Sequence, residues 1–166
     1  MDICVTRTLC IYMLLGMLVG CGFQLAGSGN FSSSLDNTSV QSASSSRDLI
    51  RLIEKNLKTN QINVVGVDQA TALINILHEE TERSVLTLDS AGKALEYELI
   101  LRVAFDVKRP DNSYLLREQS INIDRDFLFD KSALLGSYEE EQRLFDEMRS
   151  DAAKSIVYRL QTIADH

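Results

Sequence analysis

A sustained alternation of apolar and polar residues over residues 95–108 is the strongest constraint on the fold of this chain. The odd positions are apolar and the even positions mostly charged or small, and the apolar set is Leu95, Tyr97, Leu99, Leu101, Val103, Phe105 and Val107. Because successive side chains of a strand point to opposite faces, this period of two predicts a long β-strand. Its apolar face would meet a core, and its polar face would meet water or a polar partner surface.

Turn sequences on both sides of this strand predict hairpins. Residues 89–92 and 110–113 are rich in Asp, Ser, Asn, Gly and Pro, which are the residue types that favour turns. Apolar and β-branched runs lie beyond the turns at residues 73–88 and 115–129, and a shorter run covers residues 62–67. We therefore expect about four strands paired in antiparallel fashion.

A first amphipathic helix is predicted after the serine-rich segment. Its apolar positions have helical spacing and are Leu49, Ile50, Ile53 and Leu57. Ser45 and Ser46 offer hydroxyls to the first amides, and Asp48 suits the positive end of the helix dipole. Asn60 tolerates the left-handed conformation that often ends a helix, so we place the end there.

A longer helix is predicted near the carboxyl end of the chain. Its apolar face repeats every three or four residues and comprises Leu144, Met148, Ala152, Ile156, Leu160 and Ile163. Ser137 and Glu140 match a capping box, so we expect the helix to begin there. The predicted fold is α+β: a small antiparallel sheet of about four strands with two helices packed on one face.

Residues 1–20 have the composition of a lipoprotein signal peptide. An apolar run of about eleven residues is too short to span a membrane as a helix, which takes about 20, but it suits the core of an export signal. Leu18, Val19 and Gly20 precede Cys21 in the pattern expected for cleavage before an acylated cysteine. Gly22, in place of aspartate, is typical of sorting to the outer membrane.

Cysteine usage supports this division of the chain. Cys4 and Cys10 lie within the predicted signal, so the mature chain would keep Cys21 for lipid and no other thiol for a disulfide or a metal. Residues 21–46 are rich in Ser, Asn and Gly, and we interpret them as a lipidated amino terminus followed by a tether, with an edge strand as the alternative. Residues 47–166 are long enough for one domain with a single core.

Charge and side-chain chemistry argue against several function classes. The formal net charge of −7 disfavours nucleic-acid binding. His78 with Glu79 and Glu80 offers a base and a partner, but neighbouring strand residues face opposite sides, which favours a solvated charged patch. A cation site is also conceivable at Asp124, Asp126 and Asp130. That segment lacks the glycine turn and bidentate glutamate of a calcium loop, so we expect no metal, no cofactor and no enzymatic activity.

Three motifs in chain order resemble the LPS-assembly lipoprotein family. They are the Cys-Gly-Phe-x-Leu start at Cys21, Glu-Tyr-Glu-Leu at residues 96–99, and Glu-Met-x-x-Asp-Ala-Ala-x-x-Ile-x-x-Arg-Leu at residues 147–160. The resemblance implies a lipoprotein of the outer membrane, held there by acylated Cys21 and facing the periplasm. It also implies two partners: the large β-barrel of the lipopolysaccharide translocon, which the lipoprotein fills and helps to assemble, and lipopolysaccharide, which it helps to deliver to the outer leaflet.

The resemblance also implies a place for ligand contact. Basic residues of the family approach lipopolysaccharide from a turn between long strands and from the segment before the last helix, which indicates Lys93 and Lys131 here, with Arg83 as a third candidate. The alternative function is a stand-alone envelope lipoprotein that binds cell wall or another envelope protein through the polar face of its sheet. Its candidate carboxylate-binding residues are Arg102, Arg117 and Arg125.

Overall fold

A mixed sheet of five strands with two helices makes up the part of the chain that the structure, a computed structural model, describes, namely residues 31–42 and 47–163. The strands are β1 (Asn37–Ser42), β2 (Asn63–Val64), β3 (Ala72–Leu88), β4 (Ala94–Lys108) and β5 (Tyr114–Leu128). The helices are α1 (Arg47–Thr59) and α2 (Leu134–Leu160). The predicted signal peptide and Cys21 lie outside the described residues. In the described ranges, no helix is both long and apolar enough to cross a membrane.

The order of strands in the sheet is β2-β1-β3-β4-β5. The predicted hairpins β3–β4 and β4–β5 are present, and β1 adds parallel pairings to β2 and β3. The α+β class is confirmed, with five strands instead of about four and a mixed sheet instead of an antiparallel one. The parallel pairing of β1 with β2 arises because α1 carries the chain back to the same end of the sheet.

The serine-rich segment contributes a strand, where the sequence favoured a tether. Residues 37–42 form β1, which lies between β2 and β3 and so is not at an edge. Thr38 and Ser39 are buried, and the Thr38 hydroxyl donates a hydrogen bond to the Leu35 carbonyl at 2.8 Å. Leu35, fully buried, anchors the segment in the core. The folded unit therefore begins before residue 47.

Helix α1 buries the predicted stripe but ends differently from the prediction. Leu49, Ile53 and Leu57 are fully buried. The left-handed residue at the helix end is Gln61, with φ of 64°, and not Asn60. The Ile62 amide donates to the Leu57 carbonyl at 3.0 Å, which is the outer hydrogen bond of a Schellman motif.

Helix α2 begins at Leu134, so the predicted capping box at Ser137 is wrong. The Ser137 hydroxyl accepts from the Asp130 amide at 3.0 Å and donates to the Asp130 carbonyl at 3.1 Å, while Glu140 pairs with Arg143. The physical reason is a short 3-10 turn, Lys131–Ala133, that starts the helical path earlier. The Asp130 carboxylate caps this turn by accepting from the Ser132 amide at 2.8 Å.

Helix α2 is fixed to the sheet by an apolar stripe and by ion pairs. The stripe of buried residues comprises Phe145, Met148, Ala152, Ile156 and Leu160. Arg149 pairs with Glu79 at 3.0 Å, and both side chains are largely buried. Arg125 pairs with Asp151 at 3.1 Å. The face of the sheet that α2 does not cover, which we call the open face, carries the even-numbered residues of β4.

Candidate functional site

The two ends of the sheet are formed by different parts of the chain. The described chain enters at one end, where Thr38 of β1 pairs with Ala72 at the start of β3. Strand β3 then continues for 17 residues, about 55 Å at the usual rise per residue, to its turn with β4. We call the region formed by residues 85–95 and 128–138 the far end, because it lies at the other end of these long strands from the point of entry.

Six leucines are exposed around the far end. Their exposed fractions run from 41% for Leu95 to 74% for Leu135. We call them the apolar belt: Leu86, Leu88, Leu95, Leu128, Leu134 and Leu135. Leu95 and Leu128 line one shallow depression. Large apolar patches are uncommon on the surface of soluble monomers and indicate a site of contact with an apolar partner.

The apolar belt surrounds the far end and is not confined to one face. Leu128 pairs with Glu96 and Leu88 pairs with Ala94, which places both leucines on the open face. Leu95 has the parity of the β4 residues that face the helices. Leu134 and Leu135 open helix α2. Apolar side chains are therefore presented in several directions.

An aromatic cluster beneath the belt fixes the position of these elements. Phe129 makes edge-to-face contacts with three rings, with centroid distances of 5.8 Å to Tyr97, 6.2 Å to Phe127 and 6.0 Å to Tyr138. Such arrangements suit the quadrupoles of aromatic rings. The cluster joins β4, β5 and α2, so aromatic packing fixes the positions of the segments that contain the belt leucines.

Lys93 and Lys131, predicted to contact ligand, belong to the far end. Lys93 is exposed at the β3–β4 turn, where its amide donates to the Asp89 carboxylate at 2.9 Å and Gly92 supplies the positive φ of 73°. Lys131 begins the 3-10 turn after β5. The Phe129 amide donates to the Leu95 carbonyl at 3.0 Å, which holds the two segments that contain these lysines side by side.

The third predicted ligand residue, Arg83, lies lower on the sheet. It is five residues before Leu88, about 17 Å along the strand. Its guanidinium pairs with Glu141 at 2.9 Å and lies 4.6 Å from the centre of the Tyr97 ring. The structure therefore gives Arg83 a role in attaching α2 to the sheet.

Carboxylates accompany the lysines at the far end. Asp89 and Asp130 belong to this region. Glu96 borders it, since it pairs with Leu128, and its carboxylate accepts from the Thr87 hydroxyl at 2.9 Å. Hydrogen bonds from the hydroxyl and the amide of Ser132 lower the pKa of Asp130 from its ordinary value of 3.8. Asp130 is consequently ionised at neutral pH, and the lysines do not give this end a strong positive field.

The sequence interpretation missed the apolar belt, although a signal was present. Leucines flank the β3–β4 turn and follow the end of β5. The alternating pattern places Leu95 on the apolar face of its strand, and it predicts no exposed surface for the others. Leu86 and Leu88 lie next to register shifts between β3 and β4, and such shifts change the face that a side chain occupies. Strict alternation could not have predicted their exposure.

The residues considered for catalysis or cation binding are dispersed. His78 Nε2 lies 3.6 Å from a Glu80 carboxylate oxygen on the exposed open face, while Glu79 points the other way to Arg149, as strand geometry predicted. In the described ranges, no group of three or more His, Cys, Asp or Glu side chains is arranged to hold a metal ion. Asp124, Asp126 and Asp130 do not form such a group.

Comparisons with known proteins agree with this architecture and with the sequence resemblance. A family model described as LptE, lipopolysaccharide-assembly, matches residues 33–160. The LPS-assembly lipoprotein LptE of Photorhabdus laumondii subsp. laumondii is 28% identical over 157 residues, which cover 91% of this chain and 85% of that protein. 

Two solved lipoproteins share the fold. Rare lipoprotein B of Shewanella oneidensis has 30% identity and a TM-score of 0.67, covering 76% of this chain and 94% of that chain. Lipoprotein B of Nitrosomonas europaea has 26% identity and a TM-score of 0.67, covering 84% and 88%. The chain therefore belongs to the LptE family of lipopolysaccharide-assembly lipoproteins, which is not a family of enzymes.

Proposed function

We propose that this lipoprotein fills the lumen of the outer-membrane barrel of the lipopolysaccharide translocon, helps that barrel to assemble, and takes part in delivering lipopolysaccharide to the outer leaflet. Family membership supports the general role in lipopolysaccharide assembly. The observation that carries the finer proposal is the combination of long strands with a polar open face. Both properties are needed by a protein that occupies a wide, water-lined barrel.

Strand length supports the fit across a membrane. Strands β4 and β5 have 15 residues each, about 50 Å of extended chain. The hydrocarbon core of a bilayer is about 30 Å thick, so a sheet aligned with the barrel axis extends beyond both sides of it. A domain of this length can contact the barrel wall over its full height.

The open face suits a polar wall. Across its middle, Glu80 and Asn122 lie directly opposite Arg102 on either side of β4. Arg102 also donates to Glu82 at 2.7 Å. The interior of a wide outer-membrane barrel is polar, and charged and amide side chains can exchange hydrogen bonds with such a surface.

The anchor gives the molecule an orientation. Cys21, which carries lipid in this proposal, is ten residues before Phe31, so the linking chain reaches at most about 35 Å. Acyl chains in the periplasmic leaflet would then hold the entry end of the sheet near that leaflet. The far end would reach toward the outer leaflet, where lipopolysaccharide is delivered.

Ligand contact at the far end would use its cations. Lys93 and Lys131 supply ammonium donors that suit phosphate groups. Arg83 lies about 17 Å farther down β3, so it would contact a different part of the ligand, after exchanging its bond to Glu141.

Copurification tests the proposal. A carboxyl-terminal tag is added to the full chain, outer membranes are extracted in mild detergent, and the purified material is examined for a heat-modifiable barrel and bound lipopolysaccharide. We expect a stoichiometric barrel with the wild-type chain and an unprocessed, mislocalised chain with Cys21→Ser. A lipoprotein recovered without a barrel would contradict the proposal and favour the stand-alone envelope lipoprotein.

A further inference from the structure

We infer that the groove between β5 and α2 binds an extended acidic segment of the barrel protein, which adds to the outer edge of the sheet as a further strand. The groove has a volume of about 380 Å³ and is lined by residues 121–123 of β5 and by Lys154, Ser155, Tyr158 and Arg159 of α2. The identity of the partner rests on the proposed function. The site itself lies on a side of the sheet that neither the sequence patterns nor the resemblance indicated.

Strand β5 offers an unpaired edge along this groove. It is the last strand in the sheet order, so in the described ranges no strand lies on its outer side. Alternate residues of such an edge direct their N–H and C=O groups outward, where another strand can pair with them. The register of β5 with β4 is regular from Gln119 to Leu128, so the outer edge is continuous over these residues.

The stretch of β5 beside the groove lacks the usual protection of an edge strand. Proteins protect such edges with charged side chains, proline or bulges. Residues 119–123 carry no charge, and β5 contains no proline and no lysine. By contrast, beyond Ile76, where the pairing of β1 with β3 ends, β3 carries four charges within residues 79–83. The unprotected stretch of β5 therefore lies where the groove is.

A gap in the contact between α2 and β5 gives the groove its depth. Arg125 of β5 donates to Asp151 at 3.1 Å, and Gln119 of β5 accepts from Arg159 at 3.3 Å. Ser155 lies one helical turn from both Asp151 and Arg159, so it faces β5 between the two bonds. Because serine is small, the helix leaves space there. Such a gap can receive alternate side chains of an added strand.

The groove combines an apolar floor with a cationic rim. Ile121 is buried and Ile123 is half-buried, while Tyr158 is 70% exposed. In the part of the chain that the structure describes, Arg159 has no carboxylate partner, and Lys154 shares its aspartate with an arginine of β5. These cations favour an acidic segment, although the chain as a whole has a formal net charge of −7.

The wall of a barrel cannot itself fill this groove. Its strands pair with one another around a closed ring, so the wall presents side chains and no free strand edge to the lumen. Its inner surface is concave, and one concave surface does not enter another. A loop or terminal segment of the barrel protein that leaves the wall has free backbone groups and can extend along β5.

Other occupants match the groove less well. A second copy joined edge to edge about a two-fold axis would bring two cationic rims, each with Lys154 and Arg159, toward each other, and like charges repel. Residues 21–30 of this chain carry no charge that could pair with the rim. A phosphate group would use the cations, but it would leave the strand edge and the apolar floor without a partner.

Photocrosslinking in the purified complex tests the site. A photoreactive phenylalanine replaces Tyr158 in the tagged full chain, the same side chain at Val67 is the control, and mass spectrometry maps the crosslinked peptide. We expect position 158, but not position 67, to crosslink to an acidic segment outside the wall strands of the barrel. Crosslinks to a wall strand, to lipopolysaccharide or to a second copy, or no crosslink at position 158, would overturn the inference.

Charge reversal at the rim tests the chemistry of the site. Lys154→Glu with Arg159→Glu should lower the yield of that crosslink by about tenfold or more, because the new carboxylates would repel an acidic segment. Lys55→Glu with Lys58→Glu makes the same change in charge at exposed positions of α1 and should leave the yield at the wild-type level. Equal yields in the two double variants would contradict the assigned chemistry.

A measurement on the full chain without the barrel separates this inference from the proposed function. The probe is a synthetic peptide that alternates glutamate and valine, and amide hydrogen exchange is followed at residues 119–123 in detergent. We expect slower exchange at every second amide, because only those N–H groups point outward. The same peptide with N-methylated backbone amides, which cannot pair, should have no effect. Period-two protection supports the site even if no barrel copurifies, whereas uniform or absent protection overturns it even if the barrel does.

Discussion

Two ion pairs that join the sheet to α2 differ in how deeply their charges are buried. On the helix-facing side, Glu79 is 6% exposed and bonds Arg149, which is 18% exposed. Arg125 and Asp151 form a similar pair but are 46% and 40% exposed. Removing one partner of a buried pair leaves the other charge without compensation, whereas an exposed charge is solvated. The same type of contact should therefore contribute unequally to stability.

We expect Glu79→Gln to lower the free energy of unfolding by about 2 kcal/mol, because the largely buried Arg149 would lose its buried partner and keep only the exposed Asp146, 2.9 Å away. The matched change Asp151→Asn at the exposed pair should cost no more than about 1 kcal/mol. Urea unfolding of both variants measures the difference. Equal effects would show that burial does not govern these pairs.

Asp130 at the start of α2 links charge to the local structure of the far end. Because Ser132 stabilises the ionised carboxylate, the pKa of Asp130 is lower in the folded chain than in the unfolded chain. The associated stability is present above the ordinary value of 3.8 and is lost as pH falls through the lower folded value. Carboxyl NMR of the wild type should show a midpoint below 3.8. In Ser132→Ala, which removes the hydroxyl but keeps the amide, the midpoint should rise, and an unchanged midpoint would exclude the Ser132 hydroxyl as a cause.

At the scale of elements, regular patterns in the sequence were sufficient to predict the long strands and both helices. They were insufficient where contacts between distant segments determine whether an element forms or where it begins. Residues 95–108 alternate strictly, and β4 is found over Ala94–Lys108. Strand β1 has Val40 as its one large apolar residue, so its position depends on pairing with β3, which local sequence does not encode. The Ser137 box was a valid local signal, but Asp130 supplied an earlier cap.

The end of α1 gives a direct test of a boundary that the sequence placed one residue early. Gln61 has a φ of 64°, a conformation that glycine adopts with less strain. We expect Gln61→Gly to raise the free energy of unfolding by about 0.5–1 kcal/mol, after the entropy cost of glycine is included. Asn60→Gly is the control and should not stabilise the chain. Thermal unfolding of both variants measures their stabilities. If Asn60 were the left-handed residue, Asn60→Gly would be the more stable of the two.

For the whole molecule, the sequence selected two lysines that the fold brings to one end, but it missed the exposed leucines at the same end. Lys93 and Lys131 belong to one end because the β3–β4 turn and the exit from β5 are adjacent in the sheet. The leucines of the apolar belt became recognisable as a surface only when register and exposure were known. A one-dimensional pattern identifies the apolar residues of a chain, but it does not reveal which of them the fold leaves uncovered.

Charge reversal at the far end tests how the two lysines act within the assembled complex. Lys93→Glu combined with Lys131→Glu replaces two donors with two carboxylates next to Asp89 and Asp130, so an anionic head group would be repelled. We expect a severalfold loss of lipopolysaccharide from the purified barrel complex and an unchanged barrel ratio. The double Gln variant is the control, since it removes the donors without adding repulsion, and its loss should be intermediate. Because salt screens ionic attraction, the difference between wild type and the Glu variant should shrink as salt is raised. Retention equal to wild type at low salt would mean that neither lysine approaches the phosphates.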